Sequence, residues 1–254
     1  MNTYKSEVVR VATSNNFNCT CSEWDHLDVF ALNHPGKTFF VNCNIKTPSL
    51  STVAKHPYKV VVTANPELKL PYTLDIILEK LQKIKDHISF VRVKYIPTNS
   101  DIDLLMNALL REGYPVVVTN MRFNGKKSLA KYSNPEYYKW EHNRFRLHGP
   151  MLKQLNYVVK SLHAEGHQVF ICDKSGKGCG GCGLCSRLVA GRRLKLTSLN
   201  LSSSGVCPYN CPDCYAKTMQ KFSTSMGNAA MIYDTIRQND KQAGRTKHIK
   251  DHTK

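Results

Sequence analysis

The sequence has few acidic residues and no long apolar run. No stretch of about 18 apolar residues occurs, which excludes a helix that spans a bilayer. The opening segment, MNTYKSEVVRVATSNN, has no apolar core between its polar residues, so no secretory leader is expected. Acidic residues number 19 against 36 basic ones, leaving a net charge of +17. That imbalance points to an anionic partner, most often RNA or DNA; the alternative is a surface of solvated lysines. Ten cysteines in a chain expected to be cytoplasmic read as thiols and metal ligands rather than as disulfides.

What is present is a βα rhythm. Residues 1–36 read as an irregular segment, in which Val8–Ala12 has the composition of a short strand and Trp24–Leu32 that of a turn or two of helix. From Lys37 the pattern sharpens. Lys37–Asn44, Tyr58–Asn65, Ile88–Tyr95, Tyr114–Asn120 and His167–Cys172 read as strands. Leu74–His87, Asn99–Gly113 and Pro150–Gly166 carry apolar residues at three- and four-residue steps and read as helices. Leu194–Leu201 adds a last strand. Strands that are runs of valine and alternate with helices predict an α/β fold on a parallel sheet, either open or a partial (β/α) barrel. Such sheets put their chemistry on the loops at the C-terminal ends of the strands. The predicted domain spans 37–236, and the basic residues 237–254 are expected to form a disordered tail.

Two cysteine groups carry the chemistry. Cys207, Cys211 and Cys214 stand as C-x3-C-x2-C on a loop between the last strand and a helical stretch containing Met219, Phe222 and Met226. Three close thiolates suit a soft metal or an iron–sulfur cluster. Cys172, Cys179, Cys182 and Cys185 stand as C-x6-C-x2-C-x2-C among glycines that let backbone fold round a metal. Four thiolates close a tetrahedral zinc site, and the C-x2-C-x2-C core equally matches a ferredoxin-type run. The alternative draws in Cys43, Cys21 or His167 to make two closed zinc sites.

A strand followed by C-x3-C-x2-C and a helix resembles the radical-SAM superfamily. The resemblance implies a [4Fe–4S] cluster on Cys207, Cys211 and Cys214, with S-adenosylmethionine bound at its open iron. By that likeness an electron from the cluster cleaves S-adenosylmethionine to an adenosyl radical that takes hydrogen from a substrate. Asp213 stands where the family usually has an aromatic, and Tyr215 follows the last cysteine. The family also places this motif before most of its strands, whereas here four or five candidate strands precede it. Circular permutation accounts for that order: the first βα unit would sit late in the chain, with Leu194–Leu201 pairing in parallel with Lys37–Asn44. The rival reading is an ordinary α/β domain followed by a separate cysteine-rich zinc module from about residue 172. The glycine-rich cysteine run also resembles a group of phage-encoded proteins.

Other residues offer binding rather than ligation. Arg92 and Lys94 lie two apart in a strand, so they share a face and would serve an anionic cofactor group if that face is interior. Asn65 and Asn120 end strands in similar phrases, VVVTAN and VVVTN, and are placed on the same rim. Met121–Gly149 reads as a long loop in which Lys126, Lys127, Lys131, Arg144 and Arg146 are interspersed with Tyr137, Tyr138 and Trp140. Cations neutralise phosphates and flat rings stack on unpaired bases, so this loop is the candidate nucleic-acid surface. Alternatively the rings pack the loop down while the lysines face water. Three functions follow: a permuted radical-SAM-like enzyme, a non-catalytic zinc protein that binds nucleic acid, or a barrel that keeps metal and has lost catalysis.

Overall fold

A computed structural model describes residues 7–11, 21–47, 50–65, 73–141, 144–172, 182–192 and 196–199. Its strands are β1 (Val8–Val11), β2 (Thr38–Asn44), β3 (Lys59–Ala64), β4 (Ile88–Tyr95), β5 (Val116–Asn120), β6 (Tyr138–Glu141), β7 (Arg144–Leu147), β8 (Val169–Ile171) and β9 (Leu196–Leu199). The helices are α1 (Cys21–Leu32), α2 (Leu74–Gln82), α3 (Ser100–Arg111), α4 (Lys126–Tyr132), α5 (Gly149–Ala164) and α6 (Leu184–Ala190). Seven strands form one open sheet in the order β8-β5-β4-β3-β2-β1-β9, and β6 and β7 form a separate hairpin. The fold is mixed α/β on a parallel sheet, and the described strands do not close into a barrel. Among the described residues, no helix is long and apolar enough to cross a membrane.

The chain divides into two compact units, Met1–Val60 with Cys185–Lys254, and Val61–Leu184. In the first, β1 pairs in parallel with β2 on one side, Val9 opposite Phe39 and Val11 opposite Val41. On its other side β1 pairs in parallel with β9, Val8 opposite Leu196 and Val11 opposite Leu199. The late strand thus does pair with the N-terminal part of the chain, but with Val8–Val11 and not with Lys37–Asn44. The strand and helix read within segment 1–36 are both present, the strand lying inside the sheet and the helix running over twelve residues, longer than the turn or two expected. The composition of Val8–Ala12 marks the strand, but four residues are too few to show a period and so to say which strands it pairs with. Three β-branched side chains, Val8, Val9 and Val11, become fully buried and hold it in the sheet.

Helix α1 covers one face of that sheet. Phe30 meets Phe39 edge to face at 5.7 Å between ring centroids. By strand alternation Val9, Val11, Val41 and Cys43 share the covered face, and Arg10, Phe40 and Asn42 lie on the other. A polar tie holds α1 to the segment before β3. Trp24 stacks on His56 with centroids 4.0 Å apart and donates from Nε1 to the Thr52 hydroxyl at 3.4 Å. Tyr58 donates its hydroxyl to the Asp28 carboxylate at 2.6 Å, and His56 Nδ1 stands 3.8 Å from the same carboxylate.

In the second unit, β4 pairs in parallel with β5 and β5 with β8, Val93 opposite Val118 and Val118 opposite Ile171. Helix α3 packs on β4 and β5 through Ile102, Leu105, Met106 and Leu109. Its ends are where the sequence puts them. Asn99 caps the start by accepting from the Ile102 amide at 3.2 Å, and Gly113 ends it at φ 77°, a value that suits only glycine without strain. Predicted helix 74–87 is shorter than its apolar stripe suggests: α2 stops at Gln82 and a 3-10 turn covers Lys85–His87. Phe90 and Phe123 are fully buried in this unit, each worth about 1.5–3 kcal/mol of transfer free energy.

The stretch Met121–Gly149 is organised rather than a loop. It holds α4, a 3-10 turn at Pro135–Tyr137 and the antiparallel hairpin β6–β7. The hairpin register sets Tyr138 opposite Leu147, Lys139 opposite Arg146, Trp140 opposite Phe145 and Glu141 opposite Arg144. Alternation with period two therefore sorts the rings and the charges onto opposite faces.

Candidate functional site

Parallel strands present their C-terminal ends on one edge, where the sequence expects the chemistry. In the first unit that edge is the end of β1, β2 and β9. The chain leaves β9 at Leu199 towards the predicted cluster loop. Cys207, Cys211 and Cys214 lie outside the described residues, as do Cys179 and the tail 237–254.

In the second unit Cys172 directly follows β8, and its amide donates to the Val118 carbonyl at 2.8 Å, extending the ladder with β5. The first cysteine of the glycine-rich run is thus fixed at the strand end, as expected. Cys182 is half-buried and Cys185, on α6, is buried; both are thiols, as are Cys43 and Cys172. Among the described residues, no three His, Cys, Asp or Glu side chains converge in a way that could hold a metal ion. The two groups predicted from sequence each need cysteines outside that set.

Arg92 is buried and Lys94 half-buried on β4, on the same face as Phe90, whose ring lies 5.7 Å from the Arg92 guanidinium carbon. Their register partners are Val117 and Thr119. The Thr119 hydroxyl is buried and accepts or donates no hydrogen bond. Arg92 and Lys94 thus share one face of the sheet with the Thr119 hydroxyl. Asn65 is half-buried just past β3, and Asn120 ends β5 opposite Tyr95.

Of the polar residues at the ends of β4 and β5, only Asn120 and Tyr138 are among the expected site residues. Tyr95 closes β4, Asp103 lies in the first turn of α3, Asn120 closes β5, and Ser133 and Tyr138 come from the α4–hairpin segment. The Met121 amide donates to the Tyr95 carbonyl at 2.9 Å and pins the chain where it leaves β5. Tyr138 is 5% exposed. The Asn120 Oδ1 is buried without a hydrogen-bond partner, and the Tyr138 and Ser133 hydroxyls are buried beside each other. Burial pushes the Tyr138 hydroxyl up to about 12; the neighbouring Ser133 hydroxyl draws it partly back, and Tyr95 adds to the rise. Burial likewise raises Tyr95, with the Asp103 carboxylate contributing, and burial raises Asp103 itself. A local signal for this group did exist: a tyrosine ending one strand, an asparagine ending the next, and a helix opened by NSDID between them.

The hairpin qualifies the nucleic-acid surface. Lys126, Lys127, Lys131 and Arg144 are exposed, Arg146 and Tyr137 are half-buried, and Trp140 is exposed. Tyr138 is the exception: its ring packs edge to face on buried Phe123 at 5.2 Å between centroids and is closed to a stacking base. Phe123 also stacks near Tyr132 at 6.2 Å. The rings therefore serve mainly as the hairpin's own core, and Trp140, against Phe145 at 4.8 Å, is the ring left at the surface. No family model matches the chain, and neither the curated proteins nor the solved structures contain a match to it.

Proposed function

We propose that the protein is a permuted radical-SAM-like enzyme, with Cys207, Cys211 and Cys214 holding a [4Fe–4S] cluster at the C-terminal edge of its sheet. One observation supports this reading: β9, the strand that leads into the C-x3-C-x2-C loop, lies parallel beside β1. A strand made late in the chain thereby takes the place in space that a first strand would have. Three thiolates and an open fourth position suit a cluster that must bind a small molecule. Such a cluster, when bound and reduced, supplies one electron to S-adenosylmethionine. The protein's own part is to hold the cofactor and substrate on the strand ends. Arg92 and Lys94 are suited to an anionic group there, and Asn65 and Asn120 to polar ones. Cys172, Cys179, Cys182 and Cys185 then form a second centre, structural or electron-relaying.

The test is anaerobic purification followed by iron, sulfide and zinc analysis of the wild type and of Cys207→Ser, Cys211→Ser and Cys214→Ser. A brown protein whose iron falls in each variant, and which releases 5′-deoxyadenosine from S-adenosylmethionine under reduction, supports the reading. A colourless protein with zinc and no iron overturns it. The second reading, a non-catalytic zinc protein that binds RNA or DNA, draws on the exposed Lys126, Lys127, Lys131, Arg144 and Trp140. It predicts salt-sensitive binding to single strands.

A further inference from the structure

We propose that Lys139 and Arg146, paired across the β6–β7 hairpin, grip the phosphodiester backbone of a single-stranded nucleic acid. This grip rests on the second reading, that the chain binds RNA or DNA, and is independent of which metal the cysteines carry. The hairpin register puts Lys139 of β6 directly opposite Arg146 of β7. Side chains opposite one another in an antiparallel pair share a face, with Cβ atoms about 4.5–5.5 Å apart. Two cations are therefore held side by side, an arrangement that by itself destabilises a hairpin. The next pair on the same face is Glu141 opposite Arg144, so the face carries three cations and one carboxylate.

Burial adds to the demand for a counter-charge. Arg146 is half-buried, and its Nε is shut off from solvent without a hydrogen-bond partner. Lys139 is exposed. Among the described residues, neither side chain makes an ion pair. Water screens the lysine but does not reach the Arg146 Nε. A guanidinium partly out of water and set against a second cation is stabilised by an anion placed between them. The arginine fork matches two oxygens of a phosphate at once, and the ammonium beside it adds a point charge to the same group.

The open edge of the hairpin selects the polymer. Phe123 covers the outer edge of β7: its amide donates to the Phe145 carbonyl at 3.2 Å, and the Phe145 amide donates back at 2.8 Å. Among the described strands β6 pairs with β7 alone, which leaves the edge of β6 open. Along that edge Lys139 and Trp140 are consecutive and point to opposite faces. Trp140 is 49% exposed. A chain lying on this edge meets a cation on one face and a flat ring on the other. A single strand offers phosphates to the first and unpaired bases to the second. A duplex keeps its bases stacked inside, and an acidic peptide brings charge without a base for the ring.

The test follows binding of a labelled oligothymidylate to the full-length protein by fluorescence anisotropy over a salt series. Lys139→Gln and Arg146→Gln should each weaken binding about tenfold, the loss of one charged hydrogen-bond partner. Each should also lower the slope of log affinity against log salt by about 0.7. Lys126→Gln, which removes the same charge from α4, should weaken binding less. At low salt and without oligonucleotide, Lys139→Gln should melt no lower than the wild type, because it relieves the opposed charges. If Arg146→Gln does not fold, Lys139→Gln at its exposed position carries the test. A wild type that does not bind overturns both this inference and the second reading. A wild type that binds while Lys139→Gln keeps full affinity and slope, or while Lys126→Gln loses as much, overturns this inference alone. So does a duplex of the same length bound as tightly, or a Lys139→Gln protein that melts well below the wild type.

Discussion

Val11 of β1 lies opposite Leu199 of β9 in a parallel pair, so one edge of the N-terminal strand is completed by a strand from far along the chain. Val8, Val9 and Val11 are fully buried in that arrangement. A fragment ending at Val189 lacks β9 and uncovers the β1 edge. It is expected to melt at a lower temperature than the full chain, or to aggregate, as read by circular dichroism and size-exclusion chromatography. A monomeric fragment with native helix content and an unchanged cooperative melt would count against the pairing.

The tie between Tyr58 and Asp28 predicts an alkaline weakness. Burial raises the Tyr58 hydroxyl first, and the hydrogen bond to Asp28 and its charge add to the rise. An acid whose folded value is raised is one the fold keeps protonated. Its contribution is complete below the ordinary tyrosine value of 10.0 and drains away as pH climbs beyond it. Tyr58→Phe should cost about 1 kcal/mol at pH 8, a typical net hydrogen bond. The gap between variant and wild type should narrow at pH 11. Urea midpoints at the two pH values decide the matter; a gap that stays constant refutes the linkage.

Asp103 carries the opposite practical message. Burial raises its carboxyl above the ordinary value of 3.8, so the fold prefers the neutral form. Stability from this group is present below that value and is lost as pH rises through the folded one. Asp103→Asn should therefore unfold at higher urea than the wild type at pH 7, and the advantage should shrink towards pH 4. A variant less stable than the wild type at pH 7 would show that the carboxylate is compensated in the free protein.

The two faces of the hairpin separate packing from binding. Tyr138→Ala removes a buried ring and should cost about 3 kcal/mol, in line with other large-to-small changes at buried aromatics. Trp140→Ala, at an exposed position, should leave the melting temperature within a degree or two of wild type. If the hairpin meets single-stranded nucleic acid, Trp140→Ala and Arg144→Ala should both weaken that binding, and Arg144→Ala alone should also flatten its salt dependence. Filter binding across a salt series, beside thermal melts of the same variants, gives both readouts.

How far the sequence reaches can be judged from particular residues. The α3 boundaries were legible because the signals are local: Asn99 caps by its own side chain, and Gly113 takes the φ that other residues avoid. The Val-rich runs of β3, β4 and β5 were legible because strands buried on both faces need no polar partner residue. β1 was legible as a short strand from the composition of Val8–Ala12, but its place was not, since Val8–Val11 is too short to show a period and owes its position to β2 and β9. The basic aromatic stretch misled in one respect. Residues that alternate along YKWE and RFRL are neighbours in the sequence but face opposite ways in a strand. That Ser133 and Tyr138 come beside each other, and that Asn120 stands opposite Tyr95, was not legible, because these relations are set by the fold of the α4–hairpin segment and by strand register rather than by neighbours in the sequence.

The β1–β9 pairing also has a history in time. A ribosome adds roughly 5–20 residues per second, so on the order of 10–40 s pass between the synthesis of Val11 and that of Leu199. Throughout that interval one edge of β1 waits with its backbone groups exposed and three valines alongside. An edge in that condition can recruit a strand from another nascent chain. Slow translation or crowded polysomes should thus favour misassembly, and a chaperone that shields the N-terminal strand until β9 emerges should raise the yield of folded protein.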